Sequence, residues 1–513
     1  VRLPQAEYQT SDNYSYTIDN QINYDVKKGK STLNAVVLQE SYNNVLETYD
    51  IAVKNLPYSS QWFSLGSSGN SNVTGINSSY TQNTLESFMG RVNYNYDEKY
   101  YLTLTGRGDG ASQLSNGNKW AFFPSAAVAW SLGKESFIRD TKAFSNLKLR
   151  LSYGQVGNSN VAPYSTLANV VNNVYGINPT GAIGAAPSNL ANTSLKWEKS
   201  EEFNLGLDMG FLNNRVTATL EVYNKTTKDL ILQENLPTTT GFNSVYANVG
   251  EISNKGVELL LNTKNIITKN FRWSTTTTFS ANKNRIEKLA NGVTQDIGNS
   301  LFVGQPLHTL YDYKFNGIWQ VSDKNLAATY GQLPGSVRVV DVNKDGVIND
   351  DDRQILGSEL PKYTIGMTNY FTYKSFDLSF LIYYRNGTTF KNNLLTSTLG
   401  DYTGIEFNKI KLNYWTPNNP INTWYGPGIP QAYTDAIAYE NANFLRVSDI
   451  TIGYNLPQAK LDKFSISRCR IYAQVNNPFI FTKFHGIDPE FNSNTYNDGP
   501  SQILYTFGVN LTF

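Results

Sequence analysis

Apolar and polar side chains alternate one for one through segment after segment of this chain. The pattern is cleanest between Phe203 and Val222. Phe203, Leu205, Leu207, Met209 and Phe211 fall opposite Asn204, Gly206, Asp208 and Gly210. After Asn213-Asn214, Val216, Ala218, Leu220 and Val222 return opposite Thr217, Thr219 and Glu221. Successive strand side chains point to opposite faces, so each segment builds one apolar and one polar face. The last dozen residues repeat the rule, with Ile503, Tyr505, Phe507, Val509, Leu511 and Phe513 on one face. A soluble sandwich strand can alternate in this way. A strand of a closed transmembrane barrel must, because its outside meets lipid and its inside meets water.

The same alternation marks Tyr14–Val26, a long return strand Ser31–Lys54, the hairpin Arg91–Thr105, and the segments around 126–132 and 147–153. Hairpins recur around 257–279, 365–384 and 450–475. This makes roughly 16 strands, most of them longer than the ~5–6 residues usual in soluble sheets and many reaching the ~9–11 that cross a bilayer at a tilt. Short turns (Lys27-Lys28-Gly29-Lys30, Asp97-Glu98-Lys99, Asn213-Asn214, Lys374-Ser375) alternate with long polar connections, expected over Pro57–Thr84, about 157–195 and 388–440. Short turns on one rim and long loops on the other are the connection pattern of outer-membrane barrels. No helical periodicity persists, although Leu394–Leu412 is expected to hold a short helix.

Composition removes several alternatives. Only 40% of the 513 residues are hydrophobic and the mean hydropathy is −0.39, values that alternation produces by diluting the apolar signal. No apolar run is long enough for a transmembrane helix, which needs ~20 residues. The 34 tyrosines and 26 phenylalanines are enough to furnish aromatic girdles at two membrane interfaces. Forty-three basic against 42 acidic residues argue against a nucleic-acid partner. Cys469 is the single cysteine, and His308 and His485 are the only histidines, leaving little material for a disulfide, a zinc site or histidine-dependent catalysis. The chain opens at Val1 without a basic and apolar leader, so the export signal that an outer-membrane protein requires is expected to lie elsewhere or to have been removed.

One short motif carries recognisable chemistry. Counted as a calcium loop, Asp341, Asn343, Asp345 and Asp352 supply oxygen at positions 1, 3, 5 and 12. Gly346 stands at the sharp turn, the Val347 carbonyl at position 7, Ile348 as apolar anchor, and Asn349 acts through water. Asp stands in place of the usual Glu at position 12, which shortens the closing ligand. A structural Ca²⁺ is one reading; an acidic Asn/Gly turn without an ion is the other. Gly106-Arg107-Gly108-Asp109-Gly110 has neither the Lys-Ser/Thr nor the helix of a phosphate loop and is read as a loop at a strand end. Trp415, Trp424 and Tyr425 lie in a loop, where aromatic faces stack on sugars, meet a partner, or serve loop packing alone.

Together these segments resemble the SusC/RagA-type TonB-dependent outer-membrane transporters. The resemblance is carried in order by FMGRVNYNYDEKYYLTLTGRGDGAS (88–112), NKWAFFPSAAVAWSL (118–132), LKLRLSYGQVGN (147–158), the 195–231 hairpin, NVGEISNKGVEL (248–259), the acidic loop and hairpin 341–379, FLRVSDITIGYNLP (444–457), FTKFHGIDPE (481–490) and TFGVNLTF (506–513). It implies an all-β, transmembrane antiparallel β-barrel in the outer membrane of a Gram-negative bacterium, this chain supplying roughly 16 strands of an expected 22-stranded barrel. Residues 1–513 then form the C-terminal part of that barrel, the N-terminal plug and first strands being expected from another segment or chain. The implied partners are a SusD-like surface lipoprotein acting as a lid, the TonB complex working through the missing segment, the lipid bilayer, and an oligosaccharide or peptide substrate. The implied activity is active import of large nutrients, without catalysis.

Two alternatives stand beside it. A self-closing 16-stranded passive porin predicts no external strand for Tyr14–Val26 to pair with. A soluble carbohydrate-binding β-protein predicts apolar faces buried between two sheets. Substrate contacts are expected in the loops 57–84, 157–195 and 388–440. Phe513 resembles the C-terminal aromatic signal of outer-membrane assembly, and its strand is expected to pair with a barrel strand outside these residues.

Overall fold

The computed structural model describes residues 4–56, 64–65, 72–176, 182–393, 395, 413–462, 465–490 and 501–513. Among them, fifteen strands form one antiparallel sheet in chain order: Gln5–Lys28, Ser31–Lys54, Asn72–Tyr96, Tyr100–Ala111, Trp120–Trp130, Asn146–Asn158, Glu198–Phe211, Val216–Asn235, Ser244–Ile267, Phe271–Lys288, Tyr363–Tyr373, Phe376–Asn386, Phe444–Asn455, Arg468–Thr482 and Leu504–Thr512. This is the meander that the alternation required, with one strand fewer than expected. Helical turns are short, the longest α-helix being Lys324–Thr329, and no described helix is long and apolar enough to cross a membrane. The chain divides into two compact units, residues 1–130, 150–203 and 225–251, and residues 131–149, 204–224 and 252–513.

In the first unit, tight turns set the register. Gly29 takes φ +58° between the first two strands, and Asp97 and Glu98 both turn left-handed before Lys99 donates its N–H to the Tyr96 carbonyl at 3.0 Å. Three further strands follow with Ser31 opposite Tyr96, Tyr96 opposite Tyr100 and Tyr100 opposite Trp130. One face is apolar and open. Ile22 is 73% exposed, and Val37, Phe88, Val92, Tyr94, Leu102, Leu104, Phe122 and Val128 are exposed with it. On the Asn72–Tyr96 strand this apolar run covers positions 88–96, then changes to Glu86, Thr84 and Gln82 on the same face. Aromatic residues mark both limits: Tyr100 stacks on Trp130 at 6.2 Å near the turns, and Phe88 on Trp120 at 6.0 Å at the far end. Nine residues between two aromatic belts match a tilted membrane crossing.

Two expectations are corrected here. Residues 72–84 are strand, not loop: Asn72–Tyr96 pairs with Ser31–Lys54 from Asn72 opposite Lys54 to Tyr96 opposite Ser31. Polar Ser, Asn and Thr carry no apolar period, so the neighbouring ladder decides the conformation. Residues 57–63 and 66–71 of that expected loop lie outside the described residues. Gly106–Gly110 is likewise strand rather than loop, within Tyr100–Ala111. Two of its glycines are explained by space, since a Cβ on Gly110 would come within 2.6 Å of the Trp120 ring and one on Gly106 within 3.0 Å of the Phe122 ring.

In the second unit, Phe271–Lys288, Tyr363–Tyr373, Phe376–Asn386, Phe444–Asn455, Arg468–Thr482 and Leu504–Thr512 pair in sequence. Phe507 is 80% exposed, and Val509, Leu511, Ile452, Ile471 and Leu378 are exposed with it. The well-buried apolar residues lie mostly in connections: Ile318, Val337, Val339, Trp415, Trp424, Tyr425 and Ala436 cluster between strands of the second unit. In the first unit, Leu114, Phe123, Val161, Leu195 and Trp197 form a second cluster. The connection at 157–195 carries its own small hairpin, Val170–Tyr175 with Ala182–Pro187. The helix expected within Leu394–Leu412 lies outside the described residues apart from Leu395.

Candidate functional site

The polar face of the sheet is held by charges at fixed register. Glu40 stands opposite Ser87, and Ser87 opposite Asp109, making one row across three strands of the first unit. Arg107, two residues along, donates to all three: Nε to Asp109 at 2.7 Å, Nη2 to Ser87 at 2.9 Å and to Glu40 at 3.1 Å. In the second unit, Arg470 donates Nε to Asp377 at 3.0 Å while Asn455 donates to the same carboxylate at 2.9 Å. Gly453 lies between them, and a Cβ there would meet both Arg470 and Asp377 within 2.6 Å. The strand between the two charged residues therefore has to carry glycine at that point. Alternation puts Asp377 and Arg470 on the polar face, whereas Arg107 and Asp109 fall in the stretch read as a loop, and period alone does not say which charges meet.

Two long connections of the second unit build a packed assembly. Trp415 donates Nε1–H to Gln320 at 2.9 Å, and its backbone N–H donates to the Trp424 carbonyl at 3.1 Å. Trp424 and Tyr425 stack at 5.3 Å. Gly335, with φ +91°, leaves room for Trp415 and Ile429, each of which would lie within 2.5 Å of a Cβ. These three aromatics are 3–6% exposed, so the structure assigns them to loop packing and leaves no face free for a sugar. At the side of this core, Tyr439 donates to Asp312 at 2.7 Å; burial, with that acceptor, pushes its phenol well above the usual range. The Arg353 guanidinium lies 5.1 Å from the Tyr313 ring, which meets Tyr433 edge-on at 5.1 Å.

The connection after Arg468–Thr482 is fastened to strand ends by buried charge. Arg446 donates to Asp488 at 2.6 Å and reaches Glu490 at 3.2 Å, with Arg446 and Asp488 both about 95% buried. Burial pushes the Asp488 carboxyl up, but donors from Arg446, Ser501 and the Glu490 N–H outweigh it and hold its pKa below the ordinary carboxylate range. Glu440 adds a second tie, accepting the His485 backbone N–H at 3.1 Å and meeting its ring Nδ1 at 2.6 Å.

The acidic loop 341–352 folds onto itself. Asp341 accepts the N–H groups of Lys344 at 2.6 Å and Gly346 at 3.0 Å, and the Tyr330 hydroxyl at 3.0 Å. Burial raises the Asp341 carboxyl, and these donors more than reverse that, leaving it below its ordinary value. Asn343 accepts from the Asp345 N–H, Asp345 from Val347, and Asn349 from Asp351. Gly346 takes φ +84°, the left-handed turn its position demands. Asp352, fully buried, accepts the Val342 N–H at 2.7 Å and the Asn349 N–H at 2.9 Å. Among the described residues, no three acidic, histidine or cysteine side chains converge as a metal-ligating group, so Asp341, Asp345 and Asp352 do not form a cage in this conformation.

Beside that loop opens a pocket of about 390 Å³, lined among others by Asn316, Trp319, Tyr330, Arg338, Lys344 and Asp345. Arg338 lies with its guanidinium carbon 4.5 Å from the Trp319 ring centre, and Trp319 packs on Tyr330 at 5.7 Å. Sequence reading singled out the acidic loop but not this pocket, whose lining is scattered over thirty residues without a motif.

Comparison with known proteins agrees with this architecture. Residues 2–477 match the family described as TonB dependent receptor-like, beta-barrel. The chain is 34% identical over 472 residues to TonB-dependent receptor P3 of Formosa agariphila, covering 86% of this chain and 47% of that protein. It is also 34% identical over 466 residues to TonB-dependent receptor SusC of Bacteroides thetaiotaomicron, covering 84% of this chain and 44% of SusC. The chain thus spans about half the length of the curated relatives it matches. A solved structure of the RagAB peptide transporter superposes with a TM-score of 0.85 at 27% identity, over 99% of this chain and 56% of the RagAB chain. Members of the family are outer-membrane β-barrels of Gram-negative bacteria, receptors and transporters rather than enzymes. The chain belongs to the TonB-dependent receptor-like β-barrel family and is of the SusC/RagA type.

Proposed function

We propose that this chain is the C-terminal barrel portion of an outer-membrane importer that takes up large nutrients, oligosaccharides or peptides, using energy delivered by TonB and a SusD-like lipoprotein as lid. The observation that carries this reading is the inverted polarity of the sheet: its apolar face is the exposed one, bounded by aromatic belts, while its other face holds the ion pairs of Arg107 and Arg470. The relatives named above support it. In lipid, every backbone N–H and C=O needs an internal partner. Gln5–Lys28 and Leu504–Thr512 stand at the two ends of the described sheet order, each hydrogen-bonded on one side. We assign the barrel's remaining strands and the plug to a segment outside these residues. Long connections then face the cell exterior.

Purifying the native complex in detergent and identifying its chains by mass spectrometry tests this. A SusD-like lipoprotein and a plug-bearing segment are the expected companions. Their absence, with a barrel closed by these strands alone, supports the passive porin instead. The exposure of Phe88, Leu104, Phe122 and Ile452, all on interior strands of the sheet, disfavours a soluble protein with apolar faces buried between sheets.

A structural Ca²⁺ at Asp341, Asn343, Asp345, Val347, Asn349 and Asp352 is a separate proposal. The left-handed Gly346 and the inward-turned Asp341 favour it, and Asp345 and Asp352 have to turn toward the ion. Terbium luminescence sensitised by nearby aromatics and abolished by Asp341→Asn is the expected result; no ion uptake at millimolar calcium leaves a self-closed acidic turn.

A further inference from the structure

We propose that the pocket beside the acidic loop binds a carboxylate group of an oligomeric ligand, with Arg338 as its fork and Lys344 as the second charge. Both cations line the pocket, and neither has an ion-pair partner among the described residues. The acids beside them are already engaged: Asp341 accepts from Lys344 N–H, Gly346 N–H and Tyr330, and Asp345 accepts from Val347 N–H and the Asn343 amide at 2.9 Å. Those donors hold both carboxylates turned to the loop's own backbone, so neither pairs with the guanidinium or the ammonium.

The Arg338 plane is set in advance. Its guanidinium stacks on Trp319, which is 96% buried and backed by Tyr330, so its donors are held in a fixed orientation. A planar fork held in this way suits the two oxygens of a carboxylate, which accept parallel N–H donors. Asn316 adds an amide to the same lining. A carboxylate reaches such a pocket from two sources, a uronic acid in an oligosaccharide or the C-terminus of a peptide. In assigning the ligand to imported cargo the inference rests on the import reading, but binding itself is measured without transport.

The test uses the protein purified from membranes in detergent, with chelator present so that no divalent ion occupies the acidic loop. Four probes are titrated calorimetrically: a uronic-acid oligosaccharide, its carboxyl-reduced counterpart, a short peptide with a free C-terminus, and its C-terminal amide. One acidic probe is expected to bind, and its neutral counterpart to bind about tenfold or more weakly, the scale of one charge-assisted hydrogen bond. Arg338→Gln and Lys344→Met are each expected to weaken it by about the same factor. Lys344 is exposed, so its variant keeps the fold even where Arg338→Gln disturbs the Trp319 stack. Equal affinity for neutral and acidic probes, wild-type affinity in K344M, or no binding by either acidic probe overturns the proposal. If K344M loses binding while uptake by cells proves independent of TonB, the import reading fails and the carboxylate site stands. If TonB-dependent uptake is found and neither acidic probe binds, the reverse holds.

Discussion

The terminal strand Leu504–Thr512 and the loop assembly around Trp415 are built from similar residues in opposite senses. In the strand, Phe507 and Val509 are exposed while Thr506 and Gly508 turn to the more enclosed face. In the assembly, Trp415, Trp424 and Tyr425 are buried, while Lys391, Asp435 and Asp350 stand outside. One chain therefore carries two solvent rules. Water drives apolar groups inward at roughly 25 cal/mol per Å² of area removed; lipid offers no such drive and instead penalises unpaired polar groups. The change from one rule to the other marks where the bilayer ends.

The largest effect is expected where the assembly's core is emptied. Trp415→Ala removes a buried indole and the N–H that Gln320 Oε1 accepts, a loss of about 3–5 kcal/mol from this region. Because that core lies outside the sheet, limited proteolysis is expected to cut within the connections while the barrel keeps its heat-modifiable migration on gels. If barrel and loops are lost together, the two regions are not separable in the way their polarity suggests.

A comparable cost is expected at the joint between them. Arg446→Met leaves Asp488 buried without its cation, a situation that costs about 3–5 kcal/mol in buried pairs. Protonation reaches the same joint from the other side. The Asp488 pKa is lower folded than unfolded, so its contribution is complete above the ordinary aspartate value of about 3.9 and is lost as pH falls through the lower, folded value. Protease sensitivity near residues 483–490 is therefore expected to stay flat from pH 8 to about pH 5 and to rise only in stronger acid. A rise near neutral pH would show that another group holds the joint.

The sheet was legible because alternation is a local signal, repeated strand after strand. Its failures follow from the same fact. Asn72–Thr84 is mostly polar and reads as loop, yet it is held in strand by its pairing with Asn43–Lys54. Gly106–Gly110 reads as a loop at a strand end, yet Gly106 and Gly110 make room for Phe122 and Trp120. The loop assembly was illegible for a different reason. Gly335, Gln320 and Trp415 come together across 80–95 residues with no period to announce it, so neither the burial of the flagged aromatics nor the pocket at Arg338 was readable from spacing. The acidic loop was legible as a turn, down to the left-handed Gly346, while its carboxylates face its own backbone.

The strand side of the comparison is sharpened by placing one charge on each face. Phe507→Lys puts an ammonium on the lipid side, where it costs about 2–4 kcal/mol at the midplane and less toward an interface. Thr506→Lys puts it on the polar face, across from Gln474 and within reach of Asp449, with an expected effect within about 0.5 kcal/mol. Outer-membrane abundance and folded-barrel yield in lipid report the difference. Equal tolerance of both variants would mean that the exposed apolar face meets protein or water rather than lipid.

The smallest effect is expected at Lys391→Met, and it bears on the water side of the same comparison. Lys391 meets Asp435 at 2.7 Å, with Asp435 about half exposed, and lies 5.9 Å from the Tyr439 ring. In water such a pair contributes about 0–1 kcal/mol and is screened by salt. The charge is the same as at Arg446, and so is the kind of partner; what differs is that Asp435 keeps water as an alternative partner while Asp488 does not. A chemical-denaturation midpoint for the loops that barely moves in K391M, and moves still less at high salt, is the outcome this predicts. A loss as large as that of Arg446→Met would place Lys391 in a buried contact, and the loop surface around Asp435 would then be an interface rather than a solvated face.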